Sequence, residues 1–249
     1  MSNKESFYAK LSEYYDEIFP LSKGAEKFIL QEISNSEYSR LLDIGCGTGS
    51  LSIALSFSSQ IKTVTAIDLD DEMIHKANEK NILSGNPVNF GVLNMLDIEN
   101  SFGCESFDTI ICLGNTIAHL LRTEEIESFF KAAAGVLVPG GKLILQGLNY
   151  NYILDDTITA LPPIENGDLQ FIRKYKHSEQ TNLLEFKTEI RIKEAASVSG
   201  STFHNPLRPE MLKTLIKKAG FSNLQLFGGF DRSVLTSKSL PLVITCIKD

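Results

Sequence analysis

Short apolar runs alternate with amphipathic segments along the middle of the chain. A short apolar run bounded by Gly, Asp or Ser is typical of a buried strand, whereas apolar residues spaced three or four apart predict a helix. The first five predicted elements are a strand at Arg40 to Ile44, a helix at Ser50 to Phe57, a strand at Val64 to Asp68, a helix at Asp71 to Ser84 and a strand at Val88 to Leu93.

The same alternation continues towards the end of the chain. Phe107 to Leu113 predicts a fully buried strand, and Thr123 to Leu137 predicts a helix that Thr123 caps. Strands and helices that alternate in this way are joined by right-handed crossovers, so the pattern predicts an α/β fold with a mostly parallel sheet. The remaining predicted elements are a turn at Pro139-Gly140-Gly141, a strand at Lys142 to Gln146, a helix at Arg208 to Ala219 stopped by Gly220, and strands at Phe221 to Phe227 and Leu242 to Ile247.

Residues 148–204 interrupt this alternation. Three segments of the interruption favour strands: Leu169 to Lys176, Leu183 to Lys193 and Ser197 to Phe203. The run LLEFKTEIRI alternates apolar and polar residues, as an antiparallel strand with one face in water should. We therefore expect a single domain over residues 1–249, with residues 148–204 as an antiparallel insertion that roofs the mouth of a pocket.

Composition narrows the classes of function. With 249 residues, 43% of them hydrophobic, the chain can bury one sizeable core. The net charge of -7 and the lack of a Lys/Arg cluster favour a small-molecule substrate over a nucleic acid. The four cysteines lack zinc spacing and disulfide density, so we expect no metal and reduced thiols. Neither a membrane span of about 20 apolar residues nor the apolar core of a signal peptide is evident, so we expect a cytoplasmic protein with no membrane partner.

The segment LLDIGCGTGS joins the first predicted strand to a helix through three glycines at alternate positions. Gly45, Gly47 and Gly49 can adopt backbone angles that other residues rarely adopt, and they place no side chain between a ligand and the main chain. A dinucleotide-binding fold would have G-x-G-x-x-G here, whereas this chain has G-x-G-x-G after Asp43. Asp68 ends the next strand about 20 residues further on, where a carboxylate can reach ribose hydroxyls.

This loop resembles motif I of the class I S-adenosylmethionine-dependent methyltransferases, and the order of elements matches their seven-stranded sheet. The resemblance implies a Rossmann-like sheet with an antiparallel last strand, S-adenosyl-L-methionine as cofactor and S-adenosyl-L-homocysteine as product. Asn94 stands where the family commonly has an acid that contacts adenine, and Met73 and Met95 are either walls for the adenine ring or core residues. The expected cofactor-binding residues are Tyr15, Asp43, Gly45, Cys46, Gly47, Gly49, Asp68, Leu69, Met73, Asn94, Met95, Leu96 and Leu113.

The N-terminal segment FYAKLSEYYDEIFP, residues 7–20, is predicted to be helical and resembles the leading segment of the same superfamily. The resemblance implies that residues 1–20 close over the cofactor as a lid, with Tyr8, Tyr14 or Tyr15 facing the site. The alternative for these tyrosines is packing of an amphipathic helix.

The segment LGNTIAHL, residues 113–120, resembles the G-N-S-x-A-H-L of the glycine and glycine/sarcosine N-methyltransferases. The similarity extends to LNYNYIL at residues 148–154, to HNPLRPEMLKTLIKKAGF and to GGFD at residues 228–231. It implies a catalytic set of Asn115, which would orient the substrate through its amide, His119 and Tyr150. The alternative for His119 is a structural role as a cap of the next loop.

Two positions depart from that group. Its members have an arginine before the Asn-Tyr pair that binds the substrate carboxylate, and here that position is Leu148; a tyrosine before the Pro-Leu pair is here Asn205. Loss of a bidentate guanidinium removes the carboxylate clamp, so glycine is not the expected acceptor. Arg173 or Arg208 could supply a replacement charge, or either could be a surface residue.

We therefore expect methyl transfer to a small amine or related metabolite. Such a reaction depends on alignment and water exclusion more than on acid–base groups, and no Ser/His/Asp arrangement is evident. The alternatives are an O- or C-methyltransferase, which fold likeness does not separate, and a catalytically inactive cofactor-binding sensor or partner. A dehydrogenase is disfavoured by the glycine spacing. The sequence leaves open whether the chain is a monomer or a homo-oligomer.

Overall fold

The computed structural model describes residues 3–33, 39–193 and 197–249, which form eight α-helices and eleven strands. In chain order these elements are α1 (Asn3–Ile18), α2 (Lys23–Glu32), β1 (Ser39–Ile44), α3 (Ser50–Ser56), β2 (Ile61–Asp68), α4 (Asp71–Leu83), β3 (Val88–Val92), α5 (Ile98–Phe102), β4 (Phe107–Cys112), α6 (Thr123–Val136), β5 (Leu137–Leu148), α7 (Tyr150–Asp155), β6 (Ala160–Asn166), β7 (Leu169–Ser178), β8 (Leu183–Ile192), β9 (Val198–His204), α8 (Pro209–Lys218), β10 (Phe221–Phe227) and β11 (Pro241–Lys248). Short 3₁₀ turns follow β3 at Met95–Asp97 and β4 at Thr116–His119.

Seven strands form the main sheet in the order β10-β11-β5-β4-β1-β2-β3. The last strand, β11, runs antiparallel to both of its neighbours, and the other neighbouring strands are parallel. The predicted α/β fold with an antiparallel last strand is confirmed. Because β1, β2 and β4 are parallel neighbours, their carboxyl ends meet at one edge of the sheet, where open α/β folds bind ligands.

Helices cover both faces of this sheet, which explains the apolar runs of the central strands. Leu41 and Leu42 are successive residues of β1, and both are fully buried. Leu42 belongs to the same core cluster as Phe129 of α6, whereas Leu41 belongs to a second cluster with Phe28 of α2. The two clusters hold β1 rigidly, and β1 leads directly into the glycine loop (residues 45–49).

Two local predictions are wrong. Thr123 is the first residue of α6 and not its cap; the N-cap is Arg122, whose backbone N–H donates to Glu125 Oε2 at 3.1 Å. The segment Pro139-Gly140-Gly141 lies within β5 and not before it, because Leu137 already pairs with Phe107 of β4. Between Leu137 and Lys142 the ladder shifts its register, so these residues form an irregularity inside the strand.

Strands β6 to β9 form a separate four-stranded antiparallel sheet, called here the roof sheet. This is the predicted antiparallel insertion, to which the structure adds α7 and the edge strand β6. Buried side chains of β7, such as Leu169 and Phe171, pack in one cluster with Leu11 and Ile18 of α1. The N-terminal helix therefore lies against the roof sheet. None of the helices formed by the described residues has the length and apolar character needed to span a bilayer.

Candidate active site

The glycine loop has a left-handed backbone at each of its three glycines, with φ of 73° at Gly45, 55° at Gly47 and 76° at Gly49. A Cβ atom on Gly47 would lie 2.9 Å from the ring of Tyr15, and one on Gly45 would lie 2.4 Å from Thr116 Cγ2. Both approaches are closer than Cβ atoms tolerate. Glycine is therefore required here for its backbone angle and for space.

Asp68 ends β2 beside this loop. Its Oδ2 accepts a hydrogen bond from the N–H of Gly47 at 2.8 Å, and its Oδ1 accepts one from the N–H of Asp70 at 3.0 Å. Burial raises the pKa of Asp68 in spite of these two hydrogen bonds, and the charge of Asp70 adds to the increase. Because each carboxylate oxygen can accept two hydrogen bonds, both oxygens can still accept from a pair of ribose hydroxyls.

Asp43 lies in β1 just before the loop and is 4% exposed. Ser52 Oγ donates a hydrogen bond to Asp43 Oδ2 at 2.5 Å. Burial raises the pKa of Asp43 to about 7; the Ser52 hydrogen bond opposes this increase, and the charge of Asp68 adds to it. A cationic group bound beside the loop would stabilise the ionised carboxylate.

Asp16 ties α1 to the glycine loop. Its Oδ1 accepts hydrogen bonds from Thr48 Oγ1 at 2.7 Å and from Ser50 Oγ at 2.9 Å, and its Oδ2 accepts one from Lys80 Nζ at 2.7 Å. These bonds hold α1 where the ring of Tyr15 covers the loop. Tyr15 was predicted from the sequence to face the site and Asp16 was not, although the two residues are adjacent in the chain.

The residues predicted to surround adenine lie in different environments at the ends of β2 and β3. Asn94, which stands where the family commonly has an acid that contacts adenine, accepts a hydrogen bond at Oδ1 from the N–H of Leu96 at 3.0 Å and caps the 3₁₀ turn. Met73 is buried in the cluster between α1 and the roof sheet, while Met95 packs against the main core. Their contact with adenine stays a prediction. Of the other predicted residues, Leu69 is 69% exposed, and Cys46 and Leu113 are half-buried against the second core cluster.

Asn115 follows β4 with a left-handed backbone, φ 67°. Its Oδ1 accepts a hydrogen bond from the N–H of Leu148 at 3.0 Å, and its Nδ2 donates one to Tyr150 Oη at 2.9 Å. The amide that was predicted to orient the substrate thus joins the β4 loop to the end of β5. One lone pair of Oδ1 and one hydrogen of Nδ2 remain for a further partner.

His204 ends β9 and extends this network, and the sequence analysis did not single it out. Its Nδ1 lies 3.5 Å from Asn115 Nδ2 and 3.5 Å from Tyr150 Oη. Both of these groups can donate, so the arrangement favours a neutral ring with Nδ1 as acceptor and the proton on Nε2. Burial, followed by the charge of His119, lowers the pKa of His204 to about 3. Its Nε2 is buried and has no partner among the described residues.

A row of aromatic rings connects the roof sheet to the β4 loop. The ring of Tyr175 stacks on Phe186 with centroids 5.3 Å apart, and Phe186 stacks on His204 at 4.8 Å. His119 meets His204 edge-on at 4.8 Å. Because these rings come from β7, β8, β9 and the 3₁₀ turn after β4, the row fixes the roof sheet relative to the main sheet.

The rings border a cavity of about 930 Å³ between α1, the main sheet and the roof sheet. Small-molecule sites typically occupy about 300–1,000 Å³. Tyr150 is only 1% exposed and does not line this cavity, so among the predicted catalytic residues Asn115 and His119 do. The lining includes Leu11 and Tyr15 from α1, Phe19 just after α1, Gly114, Asn115 and His119 after β4, Gln146 and Leu148 from β5, and Phe171, Arg173, Tyr175, Phe186, Thr188, Thr202 and His204 from the roof sheet.

The two positions at which the sequence departs from the glycine methyltransferases, Leu148 and Asn205, lie in different parts of the structure. Leu148 lines the cavity, whereas Asn205 is buried and donates its Nδ2 hydrogen to the carbonyl of Leu121 at 3.3 Å. Arg208 donates to Asp155 Oδ1 at 2.7 Å and does not line the cavity. Of the two arginines considered as replacement charges, only Arg173 lines it.

Comparison with known proteins agrees with the class that this fold and site define. Residues 41–141 match the family model described as a methyltransferase domain. The chain is 30% identical over 220 residues to the glycine/sarcosine N-methyltransferase of Halorhodospira halochloris, and the match covers 84% of this chain and 75% of that enzyme. The chain belongs to the class I S-adenosylmethionine-dependent methyltransferases.

Two further matches show similarity over part of the sequence and in the fold. The ubiquinone biosynthesis O-methyltransferase of Xanthomonas euvesicatoria pv. vesicatoria (strain 85-10) is 36% identical over 111 residues, which is 44% of this chain and 43% of that enzyme. A crystal structure of an S-adenosylmethionine-dependent methyltransferase from Clostridium acetobutylicum ATCC 824 superposes with a TM-score of 0.82 at 17% identity, covering 97% of this chain and 98% of that one. The latter likeness concerns the fold alone.

The predicted enzyme class and cofactor, S-adenosylmethionine, are confirmed by these matches. The residues present fit this cofactor, since the three glycines place no side chain of their own on the loop and Asp68 keeps acceptor capacity for a ribose. The roles of individual residues in binding it stay predictions. Within the described ranges, no three or more His, Cys, Asp or Glu side chains are grouped so that they could hold a metal ion.

Proposed function

We propose that this enzyme transfers a methyl group to the nitrogen of a small-molecule amine larger than glycine. The observation that carries the proposal is the length of the match with the N-methyltransferase of H. halochloris. Because that match covers 84% of the chain, it extends well beyond residues 41–141. The match with the O-methyltransferase covers 44% of the chain, about the length of the methyltransferase domain match alone.

The size and lining of the cavity support an acceptor other than glycine. A volume of about 930 Å³ exceeds what a two-carbon amino acid fills. Leu148 lines the cavity where the glycine enzymes carry an arginine, so an isobutyl group replaces a guanidinium at that wall. Aromatic rings of Phe171, Tyr175 and Phe186 supply apolar contact area for a larger acceptor.

The glycine loop and the neighbouring cavity would have different tasks. Asp68, Asp43 and the backbone of the glycine loop would hold the cofactor. When bound, S-adenosylmethionine supplies a methyl group on a sulfonium, which a nucleophile displaces in line. Gly114 and Asn115 line the cavity next to the carboxyl end of β4, so an acceptor nitrogen would lie against them.

The surrounding residues would align the acceptor and exclude water. Tyr15 of α1, Phe19 just after it and the rings of the roof sheet enclose the cavity. An amine attacks only as the neutral base, and a desolvated aromatic site favours that form over the ammonium. His204 is too weak a base near neutral pH to accept the proton, so we expect the amine to lose it to water before methyl transfer.

An O-methyltransferase is the second candidate, and the 36% identity to the ubiquinone enzyme favours it. A direct test is to incubate the protein and S-adenosylmethionine with matched alkyl and benzyl amines, alcohols and phenols, and to identify products by mass spectrometry. We expect methylated amines, with glycine a poorer acceptor than the larger amines. Methylation confined to oxygen would overturn the proposal, and the Asp68→Ala variant serves as the control without cofactor binding.

A further inference from the structure

Arg173 has an unusual position on the roof sheet. In β7 the alternate residues Leu169, Phe171 and Tyr175 are buried, and Arg173 shares their face. Its partner across the ladder is Thr188 of β8, which is itself 6% exposed. Arg173 is therefore a cation on the inner face of the roof sheet, among buried and mostly apolar side chains.

The charged residues of the neighbouring strand, β8, differ from Arg173 in that they face outwards and form ion pairs. In β8 they occupy the other alternate positions, where Arg191 pairs with Glu189 at 2.7 Å and Lys187 pairs with Glu185 at 3.4 Å. These pairs lie on the outer face, whose side chains are more exposed. The strand pattern thus places paired charges outside and a single arginine inside.

The guanidinium of Arg173 lacks a compensating anion. Its Nη2 donates to the carbonyl of Pro162 at 2.8 Å, while its Nε is buried and has no partner. No carboxylate of the described residues forms an ion pair with it, and burial lowers its pKa. A buried donor such as this Nε–H is costly to leave unpaired, and a ligand could supply the missing acceptor.

Arg173 makes this wall of the cavity favourable for an anion. Among the charged residues that border the cavity, Arg173 lies on the inner face of the roof sheet, whereas Lys174, Lys187 and Glu189 occupy the alternate positions of the outer face. Glu189 is already paired with Arg191. A guanidinium matches a carboxylate with two parallel hydrogen bonds, which a neutral ligand would not supply.

We propose that Arg173 binds a carboxylate of the methyl acceptor, so that the substrate class is an amino carboxylate whose two functional groups are separated by an apolar body. The body would lie against Phe171, Tyr175 and Phe186, with the amine towards Asn115 and the carboxylate at Arg173. This inference rests on the proposed amine methylation and adds to it the chemistry of the far end of the acceptor.

The test compares acceptors that differ only in the anion. The pairs are 6-aminohexanoate with hexylamine and 4-(aminomethyl)benzoate with 4-(aminomethyl)benzamide, and 4-(aminomethyl)phenylphosphonate represents phosphoryl ligands. The proteins are wild type, Arg173→Met, Arg173→Lys and the matched control Arg191→Met, which removes an arginine from the outer face of the same sheet. Turnover is measured with S-adenosylmethionine, and calorimetry measures binding of each acceptor to the complex with S-adenosylhomocysteine.

We expect the carboxylates to have kcat/KM values about 10- to 100-fold above their neutral partners in wild type. Arg173→Met should remove this preference, Arg173→Lys should restore part of it, and Arg191→Met should keep it. Equal methylation of neutral and carboxylated amines in wild type would overturn the role of Arg173 and leave amine methylation standing. A preference for the phosphonate would overturn the carboxylate assignment.

The binding measurement separates failure of this inference from failure of the proposed function. If no amine is methylated but the carboxylates still bind the S-adenosylhomocysteine complex through Arg173, the proposed reaction is wrong and the anion site is supported. If the carboxylates bind wild type and Arg173→Met with the same affinity, the anion site is wrong. Thermal unfolding of each variant shows whether it is folded.

Discussion

The two halves of the active site differ in how their polar atoms are satisfied. In the cofactor half, formed by the glycine loop and the ends of β1 and β2, Asp43 and Asp68 accept hydrogen bonds from nearby residues. In the acceptor half, the cavity beneath the roof sheet, His204 Nε2 and Arg173 Nε are buried without partners among the described residues. Native proteins rarely leave such atoms unsatisfied, so the difference marks the acceptor half as the part completed by its ligand.

The halves also differ in how far apart their residues lie in the chain. The cofactor half is assembled mainly from residues 43–70, which two adjacent parallel strands bring together. The acceptor half combines Asn115, Tyr150, Arg173 and His204, which lie at the cap of the 3₁₀ turn after β4 and on α7, β7 and β9. A change in the first half should therefore affect the common cofactor, and a change in the second half should affect the choice and turnover of the acceptor.

The largest expected effect comes from Gly47→Val. A valine there must adopt φ near 55° and would direct its Cβ into the ring of Tyr15 at 2.9 Å. We expect the affinity for S-adenosylhomocysteine to fall at least about 100-fold in calorimetry. The control is Gly85→Val, which has φ 88° but no heavy atom within 4 Å of its Cβ. Equal affinity of Gly47→Val and wild type would show that the loop does not carry the cofactor.

A smaller and more selective effect is expected from Asn115→Ala. The change removes the acceptor of the Leu148 N–H and the donor to Tyr150 Oη, so the wall of the acceptor half loses its alignment. We expect kcat to fall about 10- to 100-fold while the affinity for S-adenosylhomocysteine changes little.

The control for Asn115→Ala is Asn86→Ala, because Asn86 is exposed and also has a left-handed backbone with φ 59°. It measures the cost of alanine at a positive φ without the hydrogen-bond network. A large loss of cofactor affinity in Asn115→Ala alone would place Asn115 in the cofactor half and remove the division between the halves.

The third prediction concerns pH and the cofactor-free protein. Burial raises the pKa of Asp43 to about 7, so as pH rises the unfolded chain ionises this residue before the folded one does. The contribution of Asp43 to the free energy of unfolding is therefore fully present below about pH 4 and is lost as pH rises through about 7. Asp43→Asn lacks this loss, and its free energy of unfolding should exceed that of wild type at pH 8 by about 2–4 kcal/mol.

Denaturant unfolding at pH 4 and pH 8 checks the Asp43 prediction. The control is Asp231→Asn, since Asp231 is an aspartate whose pKa is lowered by a hydrogen bond from Ser233. An Asp43→Asn advantage that is the same at both pH values would contradict a raised pKa. The same variant should bind S-adenosylmethionine more weakly, because its side chain no longer offers a carboxylate to the cationic sulfonium ligand.

The order of the sheet and the glycine loop could be predicted because each rests on residues close in sequence. Apolar runs identify buried strands, and the G-x-G-x-G spacing with Asp68 is contained within a few tens of residues. His204 and Asp16 could not be found in this way. His204 gains its role from Asn115 and Tyr150, and Asp16 from Thr48 and Lys80, contacts that exist only in the folded chain.

The errors in predicting local structure also arise because the deciding contacts form only in the folded chain. Thr123 has the side chain of a cap, but the capping interaction belongs to Arg122 because Glu125 reaches back to its N–H. Helix α2 was not predicted, and its apolar face is defined by the sheet that buries Phe28 and Ile29.

The division of the site is tested most directly by calorimetric titration of S-adenosylhomocysteine into wild type, Asp68→Ala and Arg173→Met. The account predicts that Asp68→Ala raises Kd at least about 100-fold, because the carboxylate beside the glycine loop is lost. Arg173→Met should leave Kd within about twofold of wild type, because we propose that its guanidinium binds the acceptor and not the cofactor. An equal loss of affinity in both variants would contradict the account, since Arg173 would then belong to the cofactor half.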